Sequence, residues 1–530
     1  MSKPFTDIDG KALEALITRV SEAKENNLAL SPEDCQLLLN ALITLASMQS
    51  RLANHDVTVH KLRKLLGIEK SSEGLASLLS NKKKPKNKPK RSTNKSRDEE
   101  AFTPVKPEVI VHPLSDVTKG DLCDECQSGR MYKTDPGSFL RITGHSPFTP
   151  EQHVMERSRC NACGVYATAP LPDNVINDGD SHQKYGYSAR ALMAIYKYFA
   201  GLPFYRQCSI QKLLGVKIGA STVFDQVELV CNDIYPVYQA LFNLAANGEH
   251  YYLDDTANRI LEAKPIEKAV RNSDKTRMRS GVYTSGVIAT TKDNRAIVLF
   301  ETNIGHAGEF IDSILHKRSK GHAKPIIMSD ALTSNRPSRC DATLSLCNSH
   351  ARRQFVDVIS HFPQEVEHIL TQYGKIWEND AISKDENHTS AQRLSYHQSV
   401  SSPIMAEIKN WGEGKLATGD IEENSSLGKA VKYFIKHYDG LTHFCRTRGA
   451  KIDNNKIEAM LKIVVRDRKN AMFKKTLLGA NIGDVITSVI ATASESGINV
   501  FEYFTTLQRE AAQVKANPEN YLPWNYRDNS

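Results

Sequence analysis

The chain has 530 residues, of which 40% are apolar and 25% charged, with a formal net charge of +8 and an isoelectric point near 8.8. Such a length exceeds one ordinary core, so several domains are expected, and the positive balance favours a polyanionic partner. No apolar run approaches the ~18 residues that span a bilayer, and Met1-Ser2-Lys3-Pro4-Phe5-Thr6-Asp7 lacks an apolar signal region, so no membrane partner and a cytoplasmic location are expected.

Residues 1–80 read as a helical region. Ser31-Pro32-Glu33-Asp34 is a helix start, with Ser31 as N-cap, proline at the first helical position and acids in the first turn. Cys35, Leu38, Leu42, Leu45, Gln49 and Leu52 then alternate at spacings of three and four. This short heptad seam serves equally a helix packed on its own domain or a dimerising coiled coil. Leu62-Arg63-Lys64-Leu65-Leu66-Gly67-Ile68 breaks at the glycine and restarts at Ser71-Ser72-Glu73, a helix-turn-helix pattern that ordinary helical hairpins share. Residues 81–119 form a basic linker. The prolines and like charges around Lys82, Lys83, Lys84, Lys90 and Arg91 forbid a packed core and leave a disordered tether, an arm that contacts phosphates, or both.

Residues 120–170 hold two CxxC pairs, Cys123-Asp124-Glu125-Cys126 and Cys160-Asn161-Ala162-Cys163. Each tight turn can aim two thiolates at one metal, and together they supply the four sulfurs of tetrahedral zinc. Residues 127–159 exceed the usual short-finger spacing, so a hairpin or longer arm separates the knuckles of this zinc-ribbon-like module. A redox CxxC is the alternative, but two pairs favour shared, structural Zn2+. The other six cysteines are scattered singly, which suits a reducing compartment.

Residues 171–247 read as a helical DNA-binding region. Within them, residues 210–223 again give helix, glycine turn and helix, with Ser221 or Thr222 placed to cap the second helix; a structural helical hairpin is an equal reading. Past Asp254 the pattern changes. Residues 281–290 and 296–302 are rich in Val, Ile, Tyr and Thr around Lys292-Asp293-Asn294, a hairpin signal. Residues 310–315 read as an amphipathic helix, and 326–329 and 343–347 as short strands. Strand, strand, strand, helix, strand, helix, strand, helix is the order of an RNase H-like, retroviral-integrase-like α/β core. Here it would occupy residues 248–361 and 428–475, interrupted by a helical insertion at 362–427 and followed by a helical region at 476–530. The expected fold class is therefore multidomain α+β.

Asp254 follows Tyr251-Tyr252-Leu253, Asp330 follows Pro325-Ile326-Ile327-Met328-Ser329, and Glu458 lies on a late helix. Three acids from distant segments can hold two divalent ions that activate an attacking oxygen and stabilise a leaving one on a phosphodiester. Among 61 acidic residues that choice is weak on composition alone. The surrounding motifs carry it. Leu253-Asp254-Asp255-Thr256 resembles the Asp-Glu-Thr motif of transposases of the insertion-sequence-sixty-six family, and Ser329-Asp330-Ala331 resembles their second Asp, usually followed by Gly. Cys347-Asn348-Ser349-His350-Ala351-Arg352-Arg353-Gln354-Phe355 resembles their Cys-Trp-Ala-His-Ala-Arg-Arg-Lys-Phe box. Asp453-Asn454-Asn455-Lys456-Ile457-Glu458 and the run Arg466-Asp467-Arg468-Lys469-Asn470-Ala471-Met472-Phe473 resemble Asp-Asn-Asn-x-x-Glu-Arg and Arg-Lys-Asn-x-x-Phe.

The resemblance covers most of the chain and implies a DDE transposase. On it, Asp254, Asp330 and Glu458 form a catalytic triad binding Mg2+ (or Mn2+), and His350, Arg352 and Arg353 line the site or contact DNA. A buried structural role for His350 is equally open, and Cys347 need not be a ligand. Arg466, Arg468 and Lys469 would approach phosphates or form a solvated helix face. Asn454 reads as a cap for the helix bearing Glu458. Element ends and target DNA are the implied partners, with a homo-oligomer, small accessory transposition proteins and a nucleoid-associated cytoplasmic location. Asp255, Ala331, Asn348 and Ala459 depart from the family's Glu, Gly, Trp and Arg. The alternative is a catalytically decayed transposase or a zinc-dependent DNA-binding regulator.

Overall fold

A computed structural model describes residues 10–26, 28–39, 119–121, 130, 145–159, 161, 166–179, 183–269, 276–338 and 340–526. The basic linker, the four CxxC cysteines, the first helix-turn-helix candidate and most of the heptad seam lie outside the described residues. Two compact units are present, Met1–Asn87 and Lys88–Ser530.

In the first unit, α1 (Gly10–Glu25) is followed by a helical stretch at 32–39. Its start is the expected one: Ser31 Oγ accepts from Asp34 N–H at 3.1 Å, and the Cys35 N–H donates to Ser31 O. Arg19 joins the two helices through Asp34 Oδ1 at 2.8 Å.

The second unit is a mixed α/β body built on a central mixed sheet. Strands β1 (Arg157–Arg159) and β2 (Tyr166–Thr168) pair antiparallel and flank the second CxxC segment. After the one-turn α2 (Asp173–Ile176) come α3 (Tyr187–Tyr198), α4 (Phe204–Leu213) and α5 (Ala220–Ala245). Here the capping expectation is corrected. Gly219, extended at φ −87° and ψ 145°, is the N-cap of α5, no side chain caps it, and Ser221 and Thr222 fall inside the first turn. Gly215 at φ +87° makes the turn, a conformation that side-chain-bearing residues resist.

The central sheet has the order β7-β6-β3-β8-β9. It is formed by β3 (His250–Asn258), β6 (Val282–Thr290), β7 (Ala296–Asn303), β8 (Ile326–Ser329) and β9 (Thr343–Leu346). The first three run antiparallel, while β8 and β9 are parallel to β3. Between β3 and β6 stands a two-stranded ribbon, β4 (Ile266–Ala269) with β5 (Thr276–Arg279). The β6–β7 hairpin turns at Asn294, φ 58°, as the Lys-Asp-Asn signal predicts. Helix α6 (Ala307–Leu315) leads into β8. The helix expected between β8 and β9 is absent: Thr333–Asn335 makes a single 3-10 turn. Ser334, Asn335, Pro337 and Ser338 explain this, since proline and short polar residues oppose a longer helix.

Beyond β9 the chain is helical: α7 (Asn348–Val356), α8 (Pro363–Asp385), α9 (Ser390–Val400), α10 (Ser402–Ala417), α11 (Ser426–Leu441), α12 (Asn455–Ala471), α13 (Leu477–Glu495), α14 (Val500–Arg509) and α15 (Ala511–Ala516). Helix α13 corrects the reading that no apolar segment has spanning length. It has 19 residues and a mean hydropathy of 1.3, but it is mostly buried. Its polar stripe explains its place. The N–H groups of Val298, Phe300 and Thr302 face outward from the edge strand β7 and donate to Thr492 Oγ1 (3.0 Å), Ser488 Oγ (2.9 Å) and Asp484 Oδ2 (2.6 Å). Four helical residues rise ~6 Å and two strand residues ~6.6 Å, so an i, i+4, i+8 stripe matches every second strand amide. The exposed edge, a template for unwanted pairing, is thereby closed.

Candidate active site

Side chains alternate across β3, and that alternation sorts its residues. Tyr252 belongs to the core under α12, with Met328, Ile457 and Leu461. Tyr251 and Leu253 belong to the opposite core, with Phe310 and Ile311 of α6. Asp254 therefore shares the α12 face, and Asp255 the α6 face. Asp255 Oδ2 is bonded to His306 Nδ1 at 2.8 Å, just ahead of α6, while its backbone N–H donates to Asp254 Oδ1 at 2.8 Å. The neighbour of the first acid thus has a structural partner of its own.

Strands β3 and β8 pair with Tyr252 opposite Met328. Continuing that parallel register by two residues sets Asp254 beside Asp330. Asp330 is fixed by its own loop, its Oδ1 accepting from Leu332 N–H (3.1 Å) and Asn335 Nδ2 (2.9 Å). Glu458 arrives on the first turn of α12, which lies across β3 and β6. Gly286, paired with Asp254 on β6, permits this approach: a Cβ there would meet Ile457 Cδ1 at 3.0 Å and Leu461 Cδ2 at 3.2 Å. Burial, with the charges of Asp330, Glu458 and Asp255, pushes the Asp254 carboxyl up to about 7, against the backbone N–H of Asp255 that lowers it.

Asn454 does more than begin a helix. It occupies the N-cap position of α12 but makes no side-chain cap bond. Instead Nδ2 donates to Leu253 O at 2.7 Å, and its backbone N–H donates to Cys347 Sγ at 3.2 Å. One buried residue so ties the start of the Glu458 helix to the strand residue before Asp254. Asn348 is fully buried and donates to Leu441 O (2.9 Å) and Ile452 O (3.1 Å). Helices α8 and α9 grip the same turn: Trp377 Nε1 donates to Asp453 Oδ2 at 3.0 Å, and Arg393 bridges Asp380 and the Ala450 carbonyl. These supports are not visible in the sequence, because each joins segments about 50 to 200 residues apart.

The remaining predicted residues divide. One ligand atom each from Cys347, His350 and Glu458 lies within 4.8 Å of the others, and His350 Nδ1 is 3.7 Å from Glu458 Oε1. Burial raises the Cys347 thiol to about 12, which keeps it a protonated core residue. Arg353 is exposed and Arg352 half-buried on α7. Arg468 Nη1 bonds Thr256 Oγ1 (2.9 Å) and the Ala257 carbonyl, and Arg466 bonds the Phe199 carbonyl with its guanidinium over that ring. Both arginines thus hold α12 in place, while Lys469 is exposed. Lys82, Lys83, Lys84, Lys90, Arg91, Cys123, Cys126, Cys160 and Cys163 lie outside the described residues.

Residues 182–482, spanning the sheet, the three acids and helices α8 to α10, match the family model described as Transposase IS66 family. The chain belongs to this transposase family. It is also similar to three uncharacterized proteins of Sinorhizobium fredii. The protein y4jD is 25% identical over 390 residues, 71% of this chain and 72% of the relative. The protein y4qI is 24% identical over 349 residues, covering 64% and 62%, and y4hP is 23% identical over 398 residues, covering 71% and 67%. IS66-family membership makes this a transposase, with the DNA partner and general divalent-metal dependence that such an activity implies.

Proposed function

We propose that this IS66-family transposase cleaves DNA at the ends of its element and joins the freed 3′-hydroxyls to target DNA, with Asp254, Asp330 and Glu458 as the catalytic carboxylates. The observation that carries this reading is the juxtaposition of Asp254, midway along β3, with Asp330, just past the end of the neighbouring parallel strand β8, and with Glu458 close enough to perturb Asp254. The strand order β7-β6-β3-β8-β9, antiparallel then parallel, supports an RNase H-like core.

The donor set suits Mg2+ or Mn2+. It is all carboxylate oxygen, and Asp254, raised first by burial and further by the charges of Asp330 and Glu458, is a group that a cation would help to ionise. Bound divalent ions would polarise the attacking oxygen and offset charge on the leaving oxygen. Asp254 and Asp330 offer oxygens from the rigid sheet, and Glu458 offers its own from α12. Asn454 and Gly286 hold that helix against β3. In the first step water attacks the phosphodiester at the element end, a P–O bond forms, and the 3′-oxygen leaves as a hydroxyl. In the second step that hydroxyl attacks a target phosphodiester, releasing the target's own 3′-hydroxyl. No covalent protein–DNA bond is formed.

Cys123, Cys126, Cys160 and Cys163 are read as a structural Zn2+ site, supported by the β1–β2 hairpin that flanks the second pair. His350, Arg352, Arg353, Lys469 and the linker lysines and arginines are read as DNA contacts, in an oligomer that pairs two ends in the cytoplasm. The test is a joining assay with Mg2+, a donor carrying the native flanking ends and a target plasmid. Joined product from wild type and none from Glu458→Gln is expected. DNA binding with neither cleavage nor joining would instead favour a decayed transposase or a regulator.

A further inference from the structure

A polar cavity opens on the other face of the sheet, away from α12. It encloses about 1130 Å3 between the β4–β5 ribbon, α6 and the loop that follows Asp330. Lys268 and Arg279 on the ribbon both pair with Glu309 of α6, so the ribbon is held against the helix on one side. Arg277 and Lys317 are exposed and line the cavity, one from the ribbon and one from just beyond α6. Lys317 is steadied by Asn243 Oδ1 at 3.0 Å and by the Phe242 ring. Arg336 lines the end nearest Asp330, together with Thr333 and Ser334. Tyr283 and His306 also line it, their rings tilted by 37° with centroids 4.2 Å apart, and His306 is the partner of Asp255.

We propose that this groove holds a short single-stranded stretch of DNA next to the scissile phosphate. The inference rests on the transposase reading of the adjacent carboxylates. Its chemistry is that of a single-strand site: cations spaced along a trough for phosphates, and an aromatic pair on which a base can stack without regard to sequence. One end of the trough is the loop whose Asn335 holds Asp330, and His306, the partner of Asp255, lines it, so a strand lying in it passes the Asp330 end of the site. The ribbon that builds one wall is an insertion between the first two strands of the sheet.

The test compares two labelled DNAs by fluorescence anisotropy, a fork with a short single-stranded arm and a blunt duplex of the same duplex sequence. Full-length wild type and the double variant Arg277→Glu, Lys317→Glu are titrated at several salt concentrations. The variant should lose roughly ten-fold or more in affinity for the fork, with a shallower salt slope, and change little for the blunt duplex. Equal losses for both DNAs would make the groove a duplex surface and overturn the single-strand assignment; no loss for either would overturn the site altogether. A photo-crosslinking residue in place of the exposed Met278, beside Arg277, guards against misfolding of the charge variant. It should capture the single-stranded arm, and capture of duplex only, or of no DNA, contradicts the proposal. None of these readouts needs cleavage. Failure of the joining assay with fork selectivity intact would sink the transposase reading alone.

Discussion

Asp254 gives a sharp prediction because its carboxyl is held against its preference. Its pKa rises from 3.8 to about 7, so the fold favours the protonated form. Without divalent ions this contribution is fully present below the unfolded pKa and is lost as pH rises through about 7. The rise from 3.8 to about 7 corresponds to about 4 kcal/mol, and solvent at the half-buried carboxyl screens part of it, leaving about 2–3 kcal/mol. Asp254→Asn removes the charge. In buffer free of divalent ions the variant should therefore be more stable than wild type at about pH 8, with the difference closing towards about pH 4. Urea unfolding followed by tryptophan fluorescence reads this, since Trp377 sits against Asp453 beside the site. Glu301 and Asp484 are also raised by burial, to about 7 and about 6, so the informative quantity is the difference between the two proteins. Added Mg2+ should stabilise wild type at the higher pH and leave Asp254→Asn nearly unmoved. A variant no more stable than wild type, or a gap that does not shrink on acidification, refutes the reasoning.

Asn454→Ala leaves the buried Leu253 carbonyl without its donor and should cost about 1–3 kcal/mol in urea unfolding. It should also lower strand joining by more than ten-fold with the circular dichroism spectrum retained; joining at the wild-type rate would deny Asn454 a positioning role. Lys197→Met leaves buried Asp467 with only Lys474, 3.6 Å away, and should cost about 3 kcal/mol. A loss below about 1 kcal/mol would show that the pair is solvated in solution. Thr492→Val strips the acceptor from the Val298 N–H at the sheet edge. It should destabilise by about 1–3 kcal/mol and speed amide exchange at Val298 ahead of the strand centre, and unchanged exchange would contradict the edge-closing role of α13.

Much of this arrangement is legible in the sequence because its signals are local. The Lys292-Asp293-Asn294 turn, the β-branched runs around it and the apolar stretches before Asp254 and Asp330 act within a few residues. The β4–β5 ribbon escapes such reading because its strands are four residues long, charged and largely exposed, so no apolar alternation marks them. The missing helix between β8 and β9 shows composition outweighing an expected element order, since Pro337 and its polar neighbours allow one tight turn. Helix α13 conceals its role for another reason. Asp484, Ser488 and Thr492 look like interruptions of an apolar run until β7 supplies the amides they accept from. Asn454 illustrates the limit at the site itself: its motif suggests a cap, and only the fold brings Leu253 within its reach.

Three carboxylates, from β3, the end of β8 and α12, are proposed to make one divalent-ion site. Mn2+ binding followed by electron paramagnetic resonance tests it without reference to activity, comparing wild type with Asp254→Asn, Asp330→Asn and Glu458→Gln. Bound Mn2+ in wild type that is lost or strongly weakened in each single variant is the predicted result. Wild-type Mn2+ binding retained by any one of the three would contradict a shared site.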